Sequence, residues 1–371
     1  MHALADGGLP DPWTLAPLTQ LLYRGSVVAD YGLRTGLASL VAAGTSASVL
    51  DPGARQERQR LEFYAELEHE PEAIFQAPGP ITVERTLGAN PGIDGHVELL
   101  RFNSRYEPIN PELRRRYGSY ANNQLARAQH WRHNDEPRQT LFVIHGFGAS
   151  PAWFNTVFFS LKQFFAEGWD IVLFTLPFHG SRRSPGSPFN GVELFAHGIA
   201  VFTEAIIHAI HDLRALVGHL LDQGAPRVGA TGLSLGGYTT ALAAALEPRL
   251  DFAIPNSAVT WFPGLVESWF PANLTAHALR RLESVSTELL AGALALHSPL
   301  SYQPQLPNDR LLIVAGLGDR LAPPEQSMRL WHHWNQPELR WFPGSHVIHF
   351  GRREYLQAMR EMISQPRAVV P

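Results

Sequence analysis

From residue 141 onward, short apolar segments alternate with longer segments in which apolar residues recur at helical spacing. The apolar segments predict strands at 141–144, 170–176, 228–230, 252–255, 311–315 and 339–342, and the intervening pattern predicts helices that include 153–167, 192–222 and 238–246. A strand with a continuous apolar sequence is buried on both faces. Strands that alternate with helices form a mostly parallel sheet covered by helices on both sides. We therefore expect an α/β fold.

The first 79 residues have a different character. Residues 18–50 are apolar and rich in alanine, and the charged segment 55–70 has apolar residues at helical spacing, so both are predicted to be helices. The Pro-Gly pair at 78–79 ends this pattern. We therefore divide the chain into an N-terminal helical extension at 1–79 and a main domain at 80–371.

The start of the main domain is less regular than the rest of it. Residues 81–86 and 96–102 are predicted to be strands, with a turn-forming sequence between them. Residues 107–133 then read as an unusually long connection. A second irregular segment, 257–305, interrupts the strand and helix alternation and contains Trp261, Phe262, Trp269 and Phe270. We interpret it as an insertion.

A Gly-x-Ser-x-Gly sequence lies within residues 228–238, with Gly232, Ser234 and Gly236 in the defining positions. It follows a predicted apolar strand and precedes an alanine-rich helix, which is the context in which this motif holds a nucleophile. Glycines are needed two residues on either side because a side chain there would collide with the tight turn. The alternative is a glycine-rich junction that only packs closely.

A serine hydroxyl needs an adjacent base, which is itself oriented by a carboxylate. Asp319 follows the predicted strand 311–315, and His346 follows the strand 339–342, so both lie at carboxyl ends of strands. His349 is the alternative base, and Asp309 and Glu325 are alternative acids, but they are placed less well. Asp319 could instead be a surface residue that caps the next helix.

The His-Gly-Phe-Gly sequence at 145–148 directly follows the predicted strand 141–144. We expect this turn to direct the backbone N–H of Phe147 toward the reacting carbonyl, together with the N–H of Leu235. Each donor of such an oxyanion hole typically contributes about 3 kcal/mol to transition-state stabilisation. His145 and Gly146 are expected to shape the loop, and His145 is not predicted to be a base.

Composition excludes several other functions. The chain has no cysteine, so it has neither disulfides nor thiolate ligands, and the histidines lack the spacing of a zinc site. We therefore expect no metal and no cofactor. A net charge of −4 gives no reason to expect a nucleic-acid partner. No signal peptide or segment that could span a membrane is evident, so we expect a cytoplasmic location.

Together these motifs resemble those of the α/β-hydrolase superfamily. The resemblance covers about residues 80–371 and depends on residues 145–148, residues 232–237, Asp319 and the Gly-Ser-His sequence that ends at His346. It implies an α/β-hydrolase fold with Ser234 as nucleophile, His346 as general base and Asp319 as the carboxylate that orients the base. It also implies that 257–305 is a lid. The N-terminal extension has no counterpart in the minimal fold.

The resemblance implies a serine hydrolase of the esterase and lipase type. The lid aromatics favour a small-molecule ester with an apolar acyl group, although they could equally anchor the lid to the core. Alternative functions are an acyltransferase or a thioesterase with the same triad. A non-catalytic binding protein on this fold is a third hypothesis, because fold alone does not establish activity.

Overall fold

A computed structural model of the chain describes residues 9–49, 56–67, 70–134, 136–282 and 285–365. A nine-stranded sheet forms its centre. The strands are β1 Glu84–Leu87, β2 His96–Asn103, β3 Leu125–Arg132, β4 Thr140–Ile144, β5 Asp170–Thr175, β6 Val228–Leu233, β7 Leu250–Asn256, β8 Leu312–Gly316 and β9 Glu338–Phe342. The order across the sheet is β1-β2-β3-β5-β4-β6-β7-β8-β9. This is the α/β-hydrolase arrangement that the motifs predicted.

The sheet has an antiparallel edge and a parallel body. Strands β1, β2, β3 and β5 pair antiparallel in that order, whereas the six strands from β5 through β4 to β9 pair in parallel. Every residue of β4, β6, β7 and β8 is buried, because helices cover both faces of the sheet there. In β3, buried residues alternate with partly exposed ones.

Fourteen α-helices lie within the part of the chain that the structure describes. They are α1 Pro17–Val49, α2 Glu57–Glu66, α3 Pro71–Ile74, α4 Arg114–Gly118, α5 Ala152–Phe158, α6 Leu161–Ala166, α7 Glu193–Ala196, α8 Ile199–Asp222, α9 Leu235–Leu246, α10 Phe262–Ser268, α11 Ala272–Leu282, α12 Thr287–Ala295, α13 Pro324–His333 and α14 Arg352–Ser364. The two predicted N-terminal helices, 18–50 and 55–70, correspond to α1 and α2. Residues 50, 55, 68 and 69 of these predictions lie outside the described residues, and α2 ends at Glu66, before the predicted end at residue 70.

Two predicted helices are each divided into two. The segment 153–167 forms α5 and α6, with Ser160 between them in a left-handed conformation at φ 55°. The segment 192–222 forms α7 and α8, separated at Gly198, which has φ 97°. A Cβ on Gly198 would lie 2.8 Å from the carboxylate of Glu57, so glycine is required there by both conformation and space.

The interpretation of residues 107–133 as a connection was wrong in part. This segment contains α4 and the whole of β3, which joins the antiparallel edge to β5. The sequence Leu-Ala-Arg-Ala-Gln-His-Trp-Arg has many polar residues because only alternate side chains of β3 are buried. The sequence of β3 therefore indicates a strand less clearly than the continuous apolar sequences of the parallel strands do.

The N-terminal extension packs directly on the main core. Leu61 and Tyr64 of α2, with Ile74 and Phe75 farther along, belong to the same buried cluster as the central strands. Glu57 also accepts a hydrogen bond of 2.7 Å from the N–H of Ala200 at the start of α8. The proposed division at residues 79 and 80 therefore separates segments that share one hydrophobic core. No helix of the described residues is sufficiently long and apolar to cross a membrane.

Candidate active site

Ser234 lies at the sharp turn between β6 and α9. Its backbone has φ 57° and ψ −112°, a strained conformation for a residue with a side chain. The turn is held by a 2.9 Å hydrogen bond from the N–H of Ser234 to the carbonyl of Asn256 on β7. The side chain is half-buried, and Ser234 is the N-cap residue of α9, whose N-terminus carries partial positive charge.

The glycines around Ser234 leave no room for side chains. A Cβ on Gly236 would overlap the carbonyl oxygen of Ile144 at the end of β4, and one on Gly232 would overlap the carbonyl oxygen of Gly236. A Cβ on Gly146 would lie 3.2 Å from the carbonyl oxygen of Leu233 and 3.5 Å from the Cβ of Ser234. Close packing of the turns after β4 and β6 therefore explains the glycines on both sides of the serine.

His346 and Asp319 lie next to each other, as the sequence predicted. The Nδ1 atom of His346 is 2.7 Å from Oδ2 of Asp319. The other carboxylate oxygen of Asp319 accepts hydrogen bonds from the N–H groups of Leu321 and Ala322, at 2.9 and 2.7 Å. Because a carboxylate only accepts, the bond to His346 places a proton on Nδ1 and leaves a lone pair on Nε2.

The surroundings of His346 increase its basicity. Burial by itself would lower the pKa of the imidazole. The charge of Asp319 and its hydrogen bond, together with the charge of Asp30, outweigh the effect of burial and raise the pKa above its usual value of 6.5. The imidazolium that forms when His346 accepts a proton is therefore stabilised by its neighbours.

Two backbone N–H groups near Ser234 lack acceptors. Within the described part of the chain, no acceptor meets the N–H of Phe147 or that of Leu235. Phe147 follows Gly146 in the turn after β4, and Leu235 is the first residue of α9. An unpaired backbone N–H is available to an oxyanion or another acceptor.

The ring of His145 holds this turn in place. Its Nδ1–H donates to the carbonyl of Gly146 at 2.8 Å, and its Nε2 accepts from the N–H of Leu176 at 3.1 Å. Burial lowers the pKa of His145 to about 4, so the ring is neutral near pH 7. Both ring nitrogens are therefore occupied by backbone groups.

A cavity of about 870 Å³ brings the predicted residues together. Ser234, His346, Phe147 and Leu235 all line it, as does Gly146. The remaining lining is mostly apolar and comes from α1, α5, α8 and the segment 257–305. Its volume is within the range of pockets that bind small organic molecules.

The four aromatic residues of the segment 257–305 do not share one role. Phe262 and Trp269 line the cavity, whereas Trp261 and Phe270 do not. Phe262 is also a member of the main core cluster, and the indole N–H of Trp269 donates to the carbonyl of Leu321 at 3.2 Å. Phe262 and Trp269 thus serve both uses that the sequence left open, pocket lining and anchoring.

The alternative site residues are placed elsewhere. His349 is partly buried and stacks on Phe342. Its Nδ1 is 3.0 Å from the hydroxyl of Tyr355, and its Nε2 is 3.2 Å from the carbonyl of His346. Burial lowers the pKa of His349 to about 3. Asp309 lies in a short helical turn before the amino end of β8, whereas Asp319 follows the carboxyl end of that strand. Glu325 lies in the first turn of α13.

Helix α1 contributes residues to the site that sequence reasoning missed. Leu33, Leu37 and Val41 line the cavity, and Asp30 accepts hydrogen bonds from the backbone beside Asp319 and from that of His346. Their spacing of three and four residues places them on one face of the helix. That spacing was visible in the sequence, but nothing local indicated which part of the main domain this face would cover.

The described residues contain no group of three or more histidine, aspartate or glutamate side chains arranged to hold a metal ion. His208 contacts Tyr117 and Asp212 in a buried polar network.

Comparisons with known proteins agree with this architecture. A family model described as the alpha/beta hydrolase family matches residues 141–358. The uncharacterized protein Rv2627c of Mycobacterium tuberculosis is 31% identical over 82% of this chain and 73% of its own length. Acetyl xylan esterase 1 from Thermoanaerobacterium sp. JW/SL YS485 covers 82% of this chain and 98% of its own, with a TM-score of 0.59 and 17% identity. The acetyl xylan esterase from Paenibacillus sp. R4 covers 84% and 99%, with a TM-score of 0.58 and 14% identity. At such low identity, these two structures show a shared fold.

Proposed function

Because the chain belongs to the α/β-hydrolase family, we propose that it is a serine hydrolase that cleaves a carboxylic ester through an acyl-enzyme on Ser234. One observation carries the proposal. Ser234 and His346 line the same cavity, and His346 is bonded through Nδ1 to Asp319 at 2.7 Å. This is the arrangement by which a base makes a serine hydroxyl nucleophilic.

In the first half of the reaction, Oγ of Ser234 attacks the ester carbonyl while Nε2 of His346 takes the hydroxyl proton. Asp319 holds the imidazole in the required tautomer and stabilises the imidazolium. The charges of Asp319 and Asp30 raise the pKa of His346, and this supports the role because the imidazolium that forms in the reaction is stabilised.

The negative charge that develops on the carbonyl oxygen is stabilised by the N–H groups of Phe147 and Leu235. Both are free to donate, and Leu235 stands at the N-terminus of α9. The imidazolium of His346 then protonates the alcohol, which leaves. A water molecule attacks the acyl-enzyme with His346 again as base, and this releases the acid and restores Ser234.

The cavity supports an apolar acyl group as the part of the substrate that binds there. Its walls beyond Ser234 are formed by side chains such as Leu33, Phe202, Leu265 and Leu294. Each methylene that leaves water for such surroundings gains about 0.8 kcal/mol. If this gain is realised in the transition state, kcat/KM rises up to about fourfold per methylene.

The experiment is hydrolysis of p-nitrophenyl esters from acetate to dodecanoate by the wild type and by Ser234→Ala. We expect kcat/KM of the wild type to increase with acyl length until the cavity is filled. Ser234→Ala should lose at least about 10³-fold in kcat, because the residual rate comes only from binding and the oxyanion hole.

Ser301→Ala is the matched control. Ser301 is exposed, does not line the cavity, and donates its hydroxyl proton to the carbonyl of Ala295. It should retain the wild-type rate. Retained turnover in folded Ser234→Ala would contradict the assignment of the nucleophile. Addition of a competing alcohol, with analysis of the ester product, separates hydrolysis from acyl transfer.

A further inference from the structure

One face of helix α1 carries a carboxylate followed by apolar side chains. Asp30 is 1% exposed, and Leu33, Leu37 and Val41 follow it at intervals of three and four residues. The three apolar side chains line the cavity. This face therefore lies over the site, with Asp30 toward the loops that carry Asp319 and His346.

The carboxylate of Asp30 bonds to the backbone of both loops. Its Oδ2 accepts a 2.8 Å hydrogen bond from the N–H of Arg320, the residue that follows Asp319. Its Oδ1 and Oδ2 lie 3.2 and 3.1 Å from the N–H of His346. One side chain thus connects the backbone beside the acid to the backbone of the base. Hydrogen bonds to an ionised acceptor are stronger than those between neutral groups.

Other residues of α1 pack against the loop that carries Asp319. A Cβ on Gly318 would lie 2.8 Å from Cγ2 of Val27 and 2.9 Å from Cε2 of Tyr23, so α1 packs directly against the residue before Asp319. Gly318 in turn donates a 2.7 Å hydrogen bond to the carbonyl of Gly344, two residues before His346. The two loops and α1 therefore form one packed unit.

The charges around Asp30 also affect the stability of the imidazolium of His346. The titratable groups that face it are Asp319 and His346, while the guanidinium of Arg320 lies over the ring of Tyr31, 5.8 Å from its centroid. Burial and the charge of Asp319 raise the pKa of Asp30 above its usual value of 3.8, and the hydrogen bonds from Arg320 and His346 and the charge of His346 oppose this rise only in part. When Asp30 is ionised, its charge favours the imidazolium of His346.

From these contacts we infer that Asp30 is a positioning residue, supplied by the N-terminal extension, that fixes the backbone of His346 and stabilises its imidazolium. The inference rests on the proposed function, because it assigns Asp30 to the base of that reaction. Asp30 acts through His346 and has no contact with the substrate. The extension is then part of the site and not only a cover for it.

The test is Asp30→Asn in the full chain, assayed with p-nitrophenyl acetate, whose short acyl group does not reach along the apolar face of α1. We expect kcat to fall about 10- to 100-fold with little change in KM. We also expect the acid limb of the pH profile of kcat/KM to shift to lower pH, because the imidazolium loses a neighbouring negative charge.

Thr35→Ala is the control, since Thr35 is exposed on the same helix and bonds only within it. It should retain both the rate and the pH profile. A folded Asp30→Asn protein with the wild-type kcat and pH profile would overturn the inference. Asp30→Ser, which keeps a neutral acceptor, serves as the second variant. Loss of folding in both variants would assign Asp30 to stability alone and would also overturn it.

Failure of the inference can be distinguished from failure of the proposed function. If the wild type turns over esters and Ser234→Ala does not, the function stands whatever Asp30→Asn does. If the wild type is inactive toward esters and toward serine-directed probes, the proposed function itself fails, and the inference fails with it.

Discussion

Ser234 combines an uncommon backbone conformation with a neighbourhood that permits few substitutions. A residue other than glycine with φ 57° and ψ −112° costs on the order of 1–3 kcal/mol, which the surrounding contacts must offset. Gly232 and Gly236 allow the strand and the helix to approach closely enough to hold the turn. The motif was recognisable in the sequence because the serine and both glycines lie within five consecutive residues.

Gly236→Ala tests that requirement. The new methyl group would overlap the carbonyl oxygen of Ile144 and push away the turn that carries Phe147. We expect at least a 100-fold loss of kcat with p-nitrophenyl butyrate and a decrease of about 2–4 kcal/mol in the free energy of unfolding. Gly186→Ala is the control, because a Cβ there meets nothing within 4 Å. Equal rates for the two variants would show that the close approach is not needed.

Asp319 and Asp30 show where prediction at the residue scale succeeds and where it stops. Asp319 follows a buried strand, so topology alone places it beside the residue that follows the next strand. Asp30 is 316 positions from its hydrogen-bond partner His346, and it lies within a helix whose sequence has no motif. A long-range contact of this kind depends on tertiary packing, which no local pattern specifies.

At the scale of elements, the buried strands were predictable and the breaks in helices were not. Apolar sequences such as Leu141–Ile144 indicate a parallel strand directly. By contrast, α7 and α8 separate at Gly198, which has φ 97°, and the carboxylate of Glu57, 141 residues earlier, leaves no space for a side chain there. Strand β3 was missed because its polar residues are needed at the partly exposed positions of an antiparallel edge.

From the apolar face of α1 we predict which acyl lengths the cavity accepts. Leu37→Trp should fill part of the cavity between α1 and the segment 257–305, because Leu37 lines this cavity. We expect kcat/KM for p-nitrophenyl dodecanoate to fall at least tenfold, since burial of even two or three fewer methylenes accounts for such a loss. For p-nitrophenyl acetate, kcat/KM of Leu37→Trp should stay within about twofold of the wild-type kcat/KM.

Val28→Trp provides the matched control, since Val28 is 71% exposed on the same helix. Its chain-length profile should equal that of the wild type. If Leu37→Trp leaves the dodecanoate rate unchanged, the acyl chain does not bind along α1.

For the whole molecule, buried histidines link stability to pH. Burial is the largest cause that lowers the pKa of five of them, to about 4 for His145 and about 3 for the others, which are His130, His179, His297 and His349. In the unfolded chain these groups titrate near 6.5. Between about pH 4 and 6.5 the unfolded state therefore binds more protons than the folded state.

Stability should consequently fall as the pH drops below 6.5. Each of these histidines contributes up to about 1.4 kcal/mol per pH unit in that window, so we expect a loss on the order of 5 kcal/mol between pH 7.5 and 5.5. His346 does not add to this loss, since its raised pKa lets it take up a proton in the folded protein. Urea unfolding followed by tryptophan fluorescence measures the change. An equal free energy of unfolding at both pH values would contradict the prediction.

At the scale of the whole molecule, part of the architecture could be predicted from the sequence and part could not. The α/β-hydrolase fold followed from the resemblance of the motifs to that superfamily. The placement of Asp319 and His346 at carboxyl ends of strands followed from the alternation of strands and helices. The place of the N-terminal extension did not follow. Its helices pack through Leu61, Tyr64 and Asp30 onto distant segments, and those contacts are specified by the folded core as a whole.

The most direct test of the central claim is covalent labelling by a fluorophosphonate probe, read by intact mass and by the labelled peptide. An activated serine reacts with such a probe, whereas an ordinary serine does not. We predict one adduct per chain, located at Ser234 and absent from Ser234→Ala, with Ser301→Ala labelled as the wild type. A folded wild-type protein that is not labelled, or one that is labelled equally after Ser234→Ala, would contradict the claim that Ser234 is the nucleophile.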